Sequence, residues 1–253
     1  MELQGKTALI AGAGRNNGKS IALAYAREGA DLILVARKMG DELKQVAKEC
    51  EAFGVKTLHM LSDLTDHEQV NQVVQKGLER FGKVDVLVSV AGMRPHKDFW
   101  EITYEEWLQV FAVNLHPTFY LAKALAPSMM KNKKGSIIAL GGGASLTSQP
   151  QRAHVVASKH GLYGLIKSLA LELGPYNVRA NLIALSLIEN KRLNPEWYPD
   201  TGAGPHTNTD IASTALGRAG TPREVADVAL FLASERSSYI TGDRIVCAGG
   251  RYM

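Results

Sequence analysis

Residues 7–30, TALIAGAGRNNGKSIALAYAREGA, decide the fold. TALIAG is a short apolar run, the form of a strand buried on both faces. IALAYAREGA has the composition of a helix, and the glycine-bearing turn GAGRNNGKS joins the two. A turn of that kind between a first strand and a first helix lets backbone N–H groups and the helix N-terminus meet a pyrophosphate. Gly12 and Gly18 stand six residues apart, with Asn16 where a middle glycine would be expected. Asn tolerates left-handed backbone, so the turn is expected to keep its shape.

Outward from this unit the alternation repeats. DLILVA, KTLHML, VDVLVSV, GSIIAL, VRANLIA and RIVCA read as further buried strands. Helical segments fall between them near 18–29, 41–53, 66–81, 103–131, 151–174 and 222–233. Strand alternating with helix is the signature of right-handed crossovers on a parallel sheet. The expected architecture is one α/β domain over 1–253: a doubly wound Rossmann fold of about seven parallel strands flanked by helices. One long irregular stretch, about 187–215, is rich in Pro, Gly and Asn, and loops of that length in compact domains are usually binding loops or lids.

Composition removes several functional classes. A chain of 253 residues with 45% hydrophobic and 21% charged residues can bury a large core and is not a disorder candidate. No apolar run approaches the roughly 18 residues that span a bilayer, and the N-terminus lacks the pattern of a signal peptide. A cytoplasmic protein without membrane association is expected. Cys50 and Cys247 have no zinc or disulfide spacing and read as ordinary thiols. The net charge of +4 is dispersed apart from KNKK at 131–134, so nucleic acid is not an expected partner.

The second strand ends in VARK. An acidic residue there would bind an adenosine ribose and favour NAD, but Ala36 fills that place and Arg37 follows. With Arg15 in the glycine turn, two guanidinium groups are available to clamp a 2′-phosphate. The cofactor expected is therefore NADP(H) in preference to NAD(H). Asp63, in LSDLTD, either hydrogen-bonds the adenine amino group or caps the helix that begins near Asp66.

Taken together, the motifs resemble the short-chain dehydrogenase/reductase family over nearly the whole chain. They are the glycine turn, the pair Ala91–Gly92, Asn114 in FAVNLHPTFYLAKA, SKHGLYGLIKSLALELGPYNVRAN, and GRAGTPREVADVALFLASERSSYITGDRIVCAGG. The resemblance implies an Asn–Ser–Tyr–Lys set: Tyr moves the proton, Lys lowers its pKa and holds the nicotinamide ribose, Ser steadies the substrate oxygen, and Asn anchors a water. Asn114 and Lys159 match that set. Val155 stands at the Tyr position and Gly142 at the Ser position. Ser89-Val90-Ala91-Gly92 replaces the usual NNAG, Leu185-Ser186 the Pro-Gly after the sixth strand, and Asn190 the Thr beyond it. By the same alignment Ile188 falls beside the cofactor.

The cofactor half of the pattern is thus better kept than the catalytic half. Ordinary ketone–alcohol exchange is expected to be weak, since a positioned general acid contributes about 10²–10⁴ in rate. Arg152 shares a helical stripe with Val155 and Lys159, at the spacing of the Y-x6-K enoyl reductases; it is either an anion or oxyanion ligand or a surface arginine. His154 is a catalytic candidate, since imidazole exchanges protons near neutrality, but five residues before Lys159 it points aside and reads rather as a packing or interface histidine. His96, Tyr198 and His206 are further candidates, and Ser145 or Ser148 could replace the lost hydroxyl. The 2,4-dienoyl-CoA-type reductases, which are similar to this family, also lack the tyrosine and keep the lysine. Reduction of an activated double bond is the favoured reading; a catalytically silent NADP(H)-binding sensor or partner-stabilising protein is the alternative, and a lyase or isomerase a third. The resemblance also implies a homotetramer, or a dimer, acting on a small-molecule substrate.

Overall fold

Strands whose two sides both face helices need apolar residues at every position, and the computed structural model, which describes residues 1–38, 40–189 and 211–252, bears this out for the five inner strands; the strands at 57–61 and 244–247, expected to be buried, are partly exposed because each lies at an edge of the sheet. Seven strands form one sheet: β1 (Thr7–Ala11), β2 (Asp31–Ala36), β3 (Thr57–Leu61), β4 (Val86–Ser89), β5 (Gly135–Leu140), β6 (Val178–Leu185) and β7 (Arg244–Cys247). Their order is β3-β2-β1-β4-β5-β6-β7, with every pairing parallel. The order reverses between β1 and β4, and the crevice outside the strand ends at such a reversal is where open α/β sheets bind ligands.

The helices are α1 (Asn16–Arg27), α2 (Gly40–Glu51), α3 (His67–Phe81), α4 (Tyr104–Asn114), α5 (His116–Asn132), α6 (Ala153–Leu173) and α7 (Pro222–Ala233). Ala8, Ile10, Leu32 and Leu34 face one side, against Tyr25 of α1, Leu43 of α2 and Leu232 of α7. Leu9, Ala11, Ile33 and Val35 face the other, against Val73 of α3, Leu125 of α5 and Ile166 of α6. Each fully buried Leu, Ile or Val contributes about 1.5–3 kcal/mol, so the two-sided core dominates stability. The buried Tyr25 hydroxyl donates to the Ala229 carbonyl at 2.8 Å and ties α1 to α7. Burial pushes the Cys50 thiol up to about 12, and Cys50 and Cys247 are both free.

The helix expected over 103–131 is two helices, α4 and α5, broken at Leu115. Pro117 lies in the first turn of α5, where its missing N–H costs nothing; inside a continuous helix it would remove a bond and clash with the preceding turn. The GRAGTPRE segment is a helix-starting device. Thr221 and Glu224 form a capping box on α7, and Arg218 forks onto Glu224 at 2.6 and 3.0 Å. The SYITG segment docks β7: Asn181 donates to the Ile240 carbonyl at 2.8 Å, and Ala180 N–H donates to Thr241 Oγ1 at 3.1 Å. Among the described residues no helix is long and apolar enough to cross a membrane.

Candidate active site

The glycine turn between β1 and α1 is closely built. A β-carbon at Gly18 would collide with the Gly12 carbonyl, and one at Gly12 would lie 3.2 Å from the Ala91 backbone nitrogen. Gly12 has φ +94° and Asn16 has φ +47°, so Asn16 takes up the left-handed conformation anticipated for it. The N-terminus of α1 has no side-chain cap and no acid in its first turn, whereas Asp66, Thr103 and Thr221 cap α3, α4 and α7. Helix N–H groups without a capping side chain suit a phosphate. The dinucleotide pattern therefore fits the residues present.

Gly14 packs against Ala36, with a β-carbon on Gly14 falling 3.7 Å from that of Ala36. This contact brings Arg15, at the start of α1, and Arg37, exposed just past β2, to the same edge of the crevice. Asp63 Oδ1 accepts from Thr65 N–H at 3.0 Å and Thr65 Oγ1 at 2.8 Å. It therefore shapes its own turn, and Asp66 is the residue that caps α3.

Across the crevice, the last residue of α4 and the second turn of α6 meet the loop after β4. Asn114, almost fully buried, accepts from Met93 N–H at 2.8 Å through Oδ1. Its Nδ2 donates to the Met93 carbonyl at 3.0 Å and to Ser158 Oγ at 2.9 Å. Ser158 Oγ donates in turn to the Val155 carbonyl at 2.8 Å. Lys159 Nζ donates to the Leu140 carbonyl at 2.9 Å. A β-carbon on Gly92 would sit 3.2 Å from Nζ and 3.3 Å from Asn114 Oδ1, so glycine leaves open the space above both groups. Burial without a carboxylate partner lowers the Lys159 ammonium from 10.5 to about 8.

Val155 is buried, at 2% exposure, one turn before Lys159. Gly142 has φ +72° in the turn after β5. Ser145 does not replace its missing hydroxyl: Ser145 Oγ donates back to the Gly142 carbonyl at 2.7 Å. Ser148 is exposed. Ile188 forms an isolated parallel bridge to Gly220 past the end of β6. The rest of the anticipated substrate loop, 190–210, with Asn190, Tyr198 and His206, lies outside the described residues.

Arg152 precedes α6 and contacts His96 through Nη2 and Nε2. Lys97 N–H donates to the Gln151 carbonyl at 2.9 Å, which joins the loop after β4 to the entry of α6. His154 is buried beside the Lys97–Glu106 pair, and burial lowers its pKa. One contributor went unseen in the sequence. Tyr252 lies directly over Gly143, where a β-carbon would overlap its hydroxyl, and that hydroxyl is 3.2 Å from Ser186 Oγ. Nothing in local spacing announces a contact between the chain's tail and the turn after β5. Ser158 carried a weak signal, standing beside the matched lysine.

Residues 12–251 match the family model described as Enoyl-(Acyl carrier protein) reductase. The chain is 35% identical to the 3-oxoacyl-[acyl-carrier-protein] reductase FabG of Thermotoga maritima, with 99% of each chain covered. It is 31% identical to the L-rhamnose 1-dehydrogenase (NAD(P)(+)) of a Sphingomonas species, covering 99% and 98%. Among solved structures, a short-chain type dehydrogenase/reductase from Mycobacterium marinum superposes with a TM-score of 0.88 at 31% identity, over 99% of this chain and 96% of that one. Sheet order, glycine turn and full-length similarity converge: the chain belongs to the short-chain dehydrogenase/reductase family.

Proposed function

We propose that the protein is an NADP(H)-dependent oxidoreductase that reduces an activated C=C or C=O bond through a non-standard site. The observation that carries this reading is Lys159, buried beside Asn114 and the open space over Gly92, with its ammonium lowered to about 8. A nicotinamide cofactor, when bound, supplies the hydride; the chain's own residues must hold the substrate and deliver the proton. The glycine turn and the α1 N-terminus would hold the pyrophosphate, Arg15 and Arg37 the 2′-phosphate, and Lys159 the nicotinamide ribose. With Val155 offering no proton, Lys159 is the donor. At an ammonium pKa of about 8 both of its forms are populated near neutrality, the condition in which a general acid works best. The names of the relatives include reductases of acyl thioesters, which supports activated thioesters as first substrates.

The test is a binding titration with NADPH and NADH, followed by NADPH oxidation assays. NADPH is expected to bind at least about tenfold more tightly, as charge-assisted contacts to a phosphate allow. Arg37→Ala should erase most of that preference. Turnover is expected with 2-enoyl or 2,4-dienoyl thioesters and not with simple ketones. Binding of neither nucleotide would overturn the reading, and rapid ketone reduction would overturn the non-standard mechanism. Tight NADPH binding without turnover of any substrate would favour the silent sensor instead.

A homotetramer remains the proposed assembly, with a dimer next. Tyr104 and Leu108 of α4, Phe119 of α5 and Val246 of β7 are exposed apolar residues on the elements that would pair. Light scattering that gave a monomer at micromolar concentration would contradict it.

A further inference from the structure

We infer that Arg152 is the anchor for a carboxylate carried by the substrate, in addition to the group that is reduced. The inference rests on the oxidoreductase reading and specifies its substrate class. Arg152 is half-buried, and its Nε is shielded from solvent with no acceptor. Its hydrogen-bond neighbour is His96 Nε2. Since a guanidinium can only donate, His96 Nε2 serves as its acceptor, and burial together with the Arg152 charge lowers the His96 pKa and favours the neutral ring. That bond satisfies one N–H and leaves the cation without a counter-charge among the described residues.

Glu106 of α4 and Asp98 of the loop after β4 are already committed. Glu106 accepts from Lys97 Nζ at 2.7 and 2.9 Å and from Thr103 N–H at 2.8 Å. Asp98 accepts from Gln151 Nε2 at 3.0 Å. Among the described residues no carboxylate pairs with Arg152. An arginine out of water without a counter-ion is costly unless something pairs it. Burial accordingly pulls its pKa down, while the nearby Tyr252 hydroxyl works the other way.

The position is also the right one. Arg152 immediately precedes α6, three residues before Val155 and seven before Lys159, whose Nζ lies beside Gly92. A substrate whose reacting carbon is near Lys159 would extend its remaining length toward Arg152. A carboxylate offers two acceptors to the planar fork and the opposite charge, neither of which His96 provides. On binding, the carboxylate takes over the Arg152 donors and His96 is released. His96 is thus a placeholder that keeps the guanidinium aimed in the free protein.

The test is calorimetric, on the full chain with and without saturating NADP+. The probes are acetate, acetoacetate, benzoate and 2-oxoglutarate, each against a neutral counterpart: acetamide, methyl acetoacetate, benzamide and dimethyl 2-oxoglutarate. At least one acid is expected to bind about tenfold or more tightly than its neutral partner. Arg152→Gln should erase that difference and Arg152→Lys keep part of it, with NADP+ affinity within about twofold. His96→Ala should retain or strengthen carboxylate binding, which keeps the test readable even if Arg152→Gln folds poorly. The inference is overturned if no acid exceeds its neutral partner, if Arg152→Gln keeps the preference, or if His96→Ala removes it. Failure of NADP+ to bind would sink the oxidoreductase reading separately, because the carboxylate preference is measured without cofactor as well.

Discussion

At the scale of single residues, Lys159 sets a conflict between function and stability. Its ammonium is lowered from 10.5 to about 8 by burial, and each unit is worth about 1.4 kcal/mol. The folded protein therefore carries a penalty on the order of 3 kcal/mol, present in full below pH 8 and relieved as pH rises toward 10.5, where the unfolded chain also loses its proton. Lys159→Met should stabilise the free protein at pH 7 by about 1–3 kcal/mol in denaturant unfolding, with the advantage shrinking at pH 10. If the difference grew with pH, the site would not be desolvated as described. Reductive turnover should fall as pH rises through about 8, as the donor empties. Val155→Tyr should raise ketone reduction by a factor toward the low end of 10²–10⁴; no gain would mean that the pocket itself is altered. Adding Gly142→Ser is a harder change, since φ +72° there strains any side chain. Leu187 has φ +48°, an outlying conformation for a bulky residue, so Leu187→Gly should raise stability by about 1 kcal/mol in the same unfolding assay. Lys159 and Asn114 stand out in the sequence because they sit inside local motifs, and the structure brings both beside Gly92. The sequence could not locate Tyr252, whose neighbours Gly143 and Ser186 are brought to it only by the sheet.

At the scale of elements, the segments that read most plainly are those whose identity is local. All seven strands fall where the apolar runs occur, but only the inner five are buried; β3 and β7, at the edges of the sheet, leave Leu61 and Val246 exposed. Helix limits depend on caps and breakers; the structure corrects one of them and decides between the alternatives at another. The 103–131 segment was one periodic stretch until Leu115 and Pro117 divided it. Asp63 and Asp66 both stood near a helix start, and only coordinates could assign the cap to Asp66. The family-like GRAGTPRE run proves to be structural: the capping box of α7 held by Arg218, with Glu224 pulled down to about 2 by that guanidinium. Thr221→Ala should therefore cost about 1 kcal/mol of stability, read by thermal unfolding, while leaving NADPH affinity unchanged. A large loss of nucleotide affinity would mean that α7 does more than pack.

At the scale of the whole molecule, the sheet divides labour. The β1-β2 side carries the glycine turn with Arg15 and Arg37, and the β4-β5-β6 side carries Lys159, Asn114, Arg152 and Tyr252, so the proposed cofactor would lie across the reversal between β1 and β4. The parallel pairing that creates this crevice also ties early sequence to late. Tyr25 in α1 donates to Ala229 in α7, 204 residues further on. A ribosome adding about 5–20 residues per second needs roughly 10–40 s to cover that distance. For that interval the nascent chain carries α1 without the α7 surface on which it packs, and the Tyr25 hydroxyl, fully buried in the folded protein, lacks the carbonyl that accepts its hydrogen bond. Until α7 has been translated, that uncovered face is the kind of apolar surface that makes a nascent chain prone to aggregate.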